Sequence, residues 1–548
     1  MPFRPEPDFV PSGSITPVPP WWKRSKNIAM TTVLVMVIGV AVYFVTRSDN
    51  LCATNTPGLH WVGPDSDREC VGVMETAAYP FDDQLDAKGR PDNQLTSIVA
   101  KIAKENQRVA GLWDGPDHVP YVKVALLTPM QGDDSTALPI DQIRASLEGA
   151  YTAQCRANEC PGLPNNQWAD IAGSHRPNFQ LVLASEGRNE THWNKVVDQL
   201  AGMTGGDHPL VAVTGLGISV KATRDAAQAL SDRHIPTIGA VISATDMKAA
   251  SFYKISPSNE DSAKALKAEF SLLAKERPEL EKGYLVFDSK NDNFSRTLAE
   301  GMESQFRKQI DGRRVSFIGK TIATDDGTEQ DFRAAVTNVC VTHAKSIFYA
   351  GRSRDLPALA RALAGRVCAS DGPIIVFTCS TGLWGAGQDK KFPDYLSAHG
   401  ITIVDASATD SASWIRNTVG TPAGFKPFHQ AYLSLKFDPD ELVTGYAILN
   451  HDAFLTAVYA TRFALGSAPG GSAQPKPARQ GTQALVPSTA DVAARIPNLT
   501  DFYAVDAASG HFSFTDPHIR DGWPIHKPVP ITVVPKDSAP HPTLYTTR

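Results

Sequence analysis

The chain has 548 residues, 42% of them hydrophobic and 20% charged, which excludes disorder throughout and leaves room for more than one compact unit. A formal net charge of −5 and a pI near 6.3 give no basic surplus for meeting a phosphate backbone, so nucleic acid is excluded as an expected partner.

Residues 1–26 are proline-rich with little to bury, and read as a disordered cytoplasmic tail. Ile28 to Val45 (IAMTTVLVMVIGVAVYFV) is an uncharged run of about 18 residues, roughly 27 Å as a helix and close to the thickness of a bilayer's hydrocarbon core. The sequence thus predicts one transmembrane helix over 27–46. Lys23, Arg24 and Lys26 precede it against a lone Arg47 just after it, which places the N-terminus in the cytoplasm and the main chain outside, as a single-pass protein of the cell membrane. Thr46-Arg47-Ser48-Asp49 offers no small-x-small cleavage site, and Asp49-Asn50-Leu51 before Cys52 is no lipoprotein processing site, so the segment reads as an uncleaved anchor.

The seven cysteines fit that placement, since thiols outside the cytoplasm can oxidise. Cys52 with Cys70, Cys155 with Cys160, and Cys340 with Cys368 are the expected disulfides. Cys379 is left as a buried strand-end thiol. No C-x-x-C, H-x-x-x-H or H-E-x-x-H occurs, so no metal is expected, and no cofactor.

Residues 47–120 read as an extracytoplasmic adaptor holding the first disulfide. Within it, Leu95, Ile98, Ile102 and Val109 recur at helical spacing and predict an amphipathic helix. After Pro120 short apolar runs alternate with helices: VKVALLTP, a helix from Ile140 to Ala157, FQLVLASEG, a helix from Trp193, LVAVTGLG, a helix from Val220 to Arg233, and IPTIGAVI. The alternation then repeats with YLVFDS, a helix from Ser295 to Gln309, VSFIGKTI, a helix from Gln330 to Val339, KSIFYAG, a helix from Leu356 to Ala364, PIIVFTC and ITIVDAS. Such βαβ repetition predicts an α/β fold with two doubly wound parallel-sheet lobes, joined near Tyr253 to Ser258 with a cleft between them. A helix from Glu441 to Phe463, a flexible insert (GSAPGGSAQPKPARQG) and a last helix and strand pair complete the chain.

The chemistry centres on Gly215-Leu216-Gly217. A dinucleotide fingerprint fails because Val220 stands where its third glycine belongs, and the next strand ends in Ile242-Ser243-Ala244 with no acid for a ribose. A phosphate-loop motif and a G-x-S-x-G elbow fail as well. What remains are strand ends carrying Gly, Ser and Thr, whose free amides and hydroxyls suit a carboxylate or another anion. Ser219, Ser243 and Thr245 acting only as helix caps is the competing expectation. No nucleophile paired with a base emerges, and His343, His429 and His451 are scattered, so no enzyme is expected.

From Tyr121 to Val534 the chain resembles the type I periplasmic solute-binding proteins, in particular the leucine-binding group that serves branched-chain amino acid ABC importers. The resemblance rests on the order and spacing of VKVALLTPMQG, the stretch from Leu210 to Asp246, FYKISPSNEDSAKAL, DSKNDNFSRTLAEGM, SIFYAGRSRDLPAL, and AASGHFSFTD followed by KPVPITVV. It implies lobe 1 from residues 121–256 and 409–510, lobe 2 from 257–408 and 511–535, and a C-terminal tail at 536–548. Ser219, Ser243, Ala244 and Thr245 match first-lobe positions that hold an amino acid's α-carboxylate. Phe294, Tyr349 and Arg352 fall at second-lobe positions facing the cleft. The chain departs from the family where a second-lobe acid receives the ammonium: Cys379-Ser380-Thr381-Gly382 stands there, leaving Asp288 and Asp405 at other strand ends as substitutes. The implied function is a membrane-tethered protein that holds a small polar, amino-acid-like or anionic ligand for an ABC permease. The alternative is a sensory or structural receptor that uses the same clamshell without transport.

Overall fold

The computed structural model divides into two compact units, Met1–Asn55 and Thr56–Arg548. It describes residue 52 and residues 56–548 apart from 65–67, 76–78, 80, 82–94, 133–135, 137, 164–176, 291, 320–327, 382–390, 467–485, 501–502, 515–520 and 536–544. The predicted tail and transmembrane helix, and nearly all of the glycine- and proline-rich insert, lie outside the described residues. Among the described residues no helix is long and apolar enough to cross a membrane.

The second unit contains two sheets. The first has seven strands: β1 (Leu59–Val62), β2 (Glu69–Met74), β3 (Tyr121–Leu127), β4 (Asn178–Ser185), β5 (Leu210–Gly215), β6 (Thr237–Gly239) and β7 (Phe252–Lys254), ordered β1-β2-β4-β3-β5-β6-β7. The second has six: β8 (Gly283–Asp288), β9 (Arg314–Phe317), β10 (Ser346–Ala350), β11 (Ile374–Ser380), β12 (Ile401–Ser407) and β15 (Ile531–Val534), ordered β15-β12-β11-β10-β8-β9. A hairpin of β13 (Val505–Ala507) and β14 (Gly510–Phe512) stands apart. In each sheet the parallel strands follow one doubly wound order, with the first strand between the second and third. Helices cover both faces, so β3, β4, β5 and β10 are buried along almost their whole length. One face of the second sheet holds a phenylalanine cluster of Phe270, Phe306, Phe348 and Phe377.

Two departures from the sequence reading have physical causes. The stretch read as an adaptor supplies β1 and β2, which extend the first sheet by antiparallel pairing of Gly72–Met74 with Leu183–Ser185. These strands are short, and β2 is buried almost without alternation, so their period-2 signal is weak. The helix expected from Glu441 to Phe463 is interrupted: a 3-10 turn, Pro439–Thr444, precedes the helix Tyr446–Ala464. Gly445 between them has φ +77°, and a Cβ there would lie 2.6 Å from Thr381 O and 2.7 Å from Thr409 Oγ1. Only glycine lets the chain turn so close to the second lobe.

Behind that helix a buried polar knot joins the late segments to the first lobe. The Asp452 carboxylate accepts from His451 Nδ1 (2.8 Å) and from the amides of Ala508 (2.9 Å) and Ser509 (2.8 Å), while Lys527 Nζ donates to the Ser509 hydroxyl. Burial alone would raise the pKa of Asp452, but these donors and the Lys527 charge hold it below the ordinary carboxylate value. The last residues are docked, with Tyr545 donating from its hydroxyl to Asp261 at 2.7 Å.

The disulfides Cys155–Cys160 and Cys340–Cys368 are formed, Cys52 and Cys70 are each disulfide-bonded, and Cys379 is free and buried. The Cys340–Cys368 bridge ties the helix Thr328–Thr342 to the start of the 3-10 turn Ala369–Asp371, across a sequence separation of 28. Replacing both cysteines by serine is expected to lower the unfolding free energy by about 3–4 kcal/mol on chain-entropy grounds. Urea titration checks this, and a loss below about 1 kcal/mol would contradict it.

Candidate ligand-binding cleft

Open α/β sheets present their ligand sites beyond the carboxyl ends of their strands, where helix and loop starts leave polar backbone uncommitted. Here those ends face one another. Ile218 and Ser219 follow β5, Val241 and Ser243 follow β6, Phe294 opens the helix after β8, Arg352 to Arg354 follow β10, and Cys379 to Thr381 end β11. Together with Pro139, Gln142 and Tyr446 they line a cavity of about 660 Å³, its open mouth included.

The glycine turn does suit a carboxylate, but the carboxylate is internal. Gly215, Leu216 and Gly217 all have positive φ, and a Cβ on Gly217 would lie 2.0 Å from Glu190 Oε1. Glu190 accepts from the Ile218 amide at 2.9 Å and is hydrogen-bonded to the Thr223 hydroxyl. Beside it, Glu186 is buried with neither carboxylate oxygen partnered. Burial first, and then the proximity of Glu190, push the Glu186 acid well above the ordinary range.

The hydroxyl chemistry expected of the first lobe is also partly self-directed. Ser219 Oγ accepts from the amides of Ser243 (3.0 Å) and Ala244 (3.3 Å), so these two donors are already satisfied. Ser219 is therefore no helix cap: the helix Lys221–Asp232 has Val220 at its N-cap, with no side-chain bond. The chain after Ser243 forms a turn rather than a helix, so capping does not account for Ser243 or Thr245 either. Ser219 and Ser243 line the cavity, whereas Ala244 and Thr245 are not among its lining residues.

The second lobe supplies the charge. Arg352 Nε donates to Asp292 Oδ2 at 3.0 Å, its guanidinium lies 5.4 Å from the centre of the Phe294 ring, and its Nη2 is buried with no partner. Asp292 also caps the helix Asn293–Gln305, accepting from the Ser295 amide at 2.8 Å. Tyr349 is fully buried against Phe317 and does not line the cavity. Its hydroxyl donates to Arg352 O at 2.9 Å, which makes it a support for Arg352 rather than a contact surface. Arg354 reaches across to the first lobe, donating from Nη1 to Thr136 O at 2.9 Å. Burial, and then the Arg352 charge, lower its pKa.

Among the described residues, none that lines the cavity is acidic. Asp288 accepts from the amides of Lys290 (3.0 Å) and Gly319 (2.9 Å), as a turn residue does. Asp405 is wholly buried behind Ser380, whose hydroxyl donates to it at 2.8 Å. Neither replaces the missing ammonium acceptor. No group of three or more His, Cys, Asp or Glu able to hold a metal ion occurs among the described residues. Sequence reasoning missed Gln142, Arg354 and Tyr446. Arg354 was legible as the second arginine of Arg352-Ser353-Arg354 at a strand end. Tyr446 was hidden inside what read as an unbroken helix.

No protein-family model matches the chain, and no curated protein matches it. Solved structures do. A solute-binding protein from Rhodopseudomonas palustris in complex with 4-hydroxybenzoate superposes with a TM-score of 0.52 at 12% identity, over 78% of this chain and 97% of that one. The branched-chain amino acid transporter substrate-binding protein of Streptococcus pneumoniae in complex with isoleucine gives 0.50 at 16%, over 75% and 95%. A second Rhodopseudomonas palustris solute-binding protein, from strain BisB5 with 3,4-dihydroxybenzoic acid, gives 0.50 at 12%, over 75% and 92%. This is the type I periplasmic binding protein fold. In this version of the type I fold a polar cluster bridges the lobes. Asp246 Oδ2 of the first lobe accepts from Asn293 Nδ2 (2.6 Å) and Arg296 Nη2 (2.5 Å) of the second, with Arg224 of its own lobe at 3.6 Å.

The buried acid pair generates a pH prediction. An acid whose folded pKa is raised costs the fold nothing below its unfolded value, and stability falls as pH climbs from there toward the folded value. The unfolded reference for Glu186 is 4.5, so wild-type stability is expected to decline above that pH. Glu186→Gln mimics the protonated acid and is expected to melt higher than wild type at pH 8, with the gain vanishing toward pH 4. Parallel melting curves for the two proteins across that range would contradict the assignment.

Proposed function

We propose that the chain is a membrane-tethered extracytoplasmic solute-binding protein that holds a small organic anion in the interlobe cleft and presents it to an ABC permease. One observation carries the ligand class. Arg352 is braced by Asp292, packed over Phe294 and left with a buried unpartnered Nη2, in a cleft that also receives Arg354 and has no acid among its described lining residues. An unsatisfied buried cationic donor is costly, and a carboxylate placed in its plane removes that cost. An α-ammonium finds no counter-charge among the described lining residues of the same cleft, which favours organic acids over amino acids.

The neighbouring structures bind both kinds of molecule, isoleucine in one and hydroxylated benzoates in the others. The extracytoplasmic placement draws support from the two disulfides with described geometry, which oxidising compartments favour. The tether draws support from the apolar run Ile28 to Val45.

Small carboxylates are expected to raise the melting temperature of the portion beginning near Asn50, while the α-amino acids of the same skeleton raise it less. Arg352→Gln is expected to weaken carboxylate binding about 10- to 100-fold, as loss of a charge-assisted bond does, with little change in the unliganded melting point. Isothermal titration calorimetry reads both. Preference for amino acids, or indifference to Arg352→Gln, would end this reading.

A further inference from the structure

Beyond Phe294 the cleft continues into a smaller chamber that shares Ser243, Phe294, Cys379, Ser380 and Thr381 with it. Its own walls are Ser256, Pro257, Asn259, Ser262 and Ala408, and among the described residues no charged side chain lines it. The free space suits one group of about the size of a water molecule.

Three groups around this chamber are fixed as acceptors, while the hydroxyls of Ser243, Ser262 and Thr381 can serve in either sense. The Ser256 hydroxyl donates to Ala240 O at 2.8 Å and the Ser380 hydroxyl to Asp405 Oδ2 at 2.8 Å, so both protons are spent and both oxygens remain acceptors. Asn259 is 1% exposed. Its Nδ2 is committed to Phe294 O (2.9 Å) and Thr297 Oγ1 (2.8 Å), while its Oδ1 has no partner. Buried acceptors in a small space call for a donor that brings no charge, because an ammonium there would be desolvated with no carboxylate in direct reach, Asp405 being screened behind Ser380.

We infer that the ligand carries a hydroxyl that passes Phe294 into this chamber, which makes the substrate class a small hydroxy-carboxylate, its acid on Arg352 and its hydroxyl near Asn259 and Ser380. The inference rests on the organic-anion reading of the main cleft and narrows it. A site whose buried polar groups await a hydroxyl discriminates strongly against the analogue that lacks one, since binding the analogue leaves them unpaired or strands a water.

The test is calorimetric titration of the soluble portion with short unbranched carboxylates, each beside its ω-hydroxy and ω-amino counterpart. At the chain length that spans the two chambers, the hydroxy acid is expected to bind at least about tenfold more tightly than its parent, and more tightly than the amino acid. Ser262→Leu, which fills the chamber, is expected to erase the difference between hydroxy acid and parent. Ala408→Val serves as a second plug should the first variant fail to fold. Parents that bind without any gain from the hydroxyl, at every length, would overturn the chamber's assignment alone. An amino counterpart that binds best would overturn it too. Silence from the parents as well would bring down the organic-anion reading with it.

Discussion

The candidate site depends on how Arg352 is held. A guanidinium facing a cleft needs its position fixed before it can select anything, because an unrestrained arginine loses rotamer freedom whenever it binds. Here Asp292 takes Nε, the Phe294 ring lies beneath the plane, and the buried Tyr349 hydroxyl clamps the backbone carbonyl. Asp292 is itself fixed as a helix cap, so the arginine is referenced to the helix Asn293–Gln305 and through it to the second sheet. One buried nitrogen, Nη2, is left over. That remainder is where specificity can enter.

The first lobe contributes differently, and the contrast organises the site. Its anion-attracting geometry is real, yet Glu190 occupies the glycine turn, and the Ser219 hydroxyl occupies the two amides that a ligand carboxylate would seek. A carboxylate in the cleft therefore meets hydroxyls and apolar surface on one side and cationic donors on the other. On the proposed reading, polarity of that kind would orient a ligand, its charged end toward the second lobe and its remainder along Ile218, Val241 and Tyr446.

Much of the architecture was legible because it is local and periodic. Strands such as LVAVTG and IIVFTCS are continuous apolar runs, and the helices between them carry regular apolar stripes, so two doubly wound halves followed directly. Strand β2 and the break at Gly445 were not legible, because each is decided by a partner far away in sequence: the edge of β4 in one case and Thr381 in the other. The site divides along the same line. Ser219, Ser243, Phe294 and Arg352 sit at strand ends that any such fold turns toward its cleft, and they do meet. Ala244, Thr245 and Tyr349 failed to face it because a residue's position after a strand does not fix which way its side chain turns. That Glu190 fills the turn could not be read at all, since nothing local links Glu190 to Gly217.

Asp246 has a consequence for motion. Its carboxylate is shared between Asn293 and Arg296 across the gap and Arg224 on its own side. Were the lobes to part, the acid would lose Asn293 and Arg296 but keep Arg224, so one ion pair would break and one would remain rather than leave a bare charge. A part-exposed cluster of this kind would act as a swivelling detent, biasing a shut form only gently, yielding to modest salt, and leaving contacts inside the cleft to decide how long it stays shut.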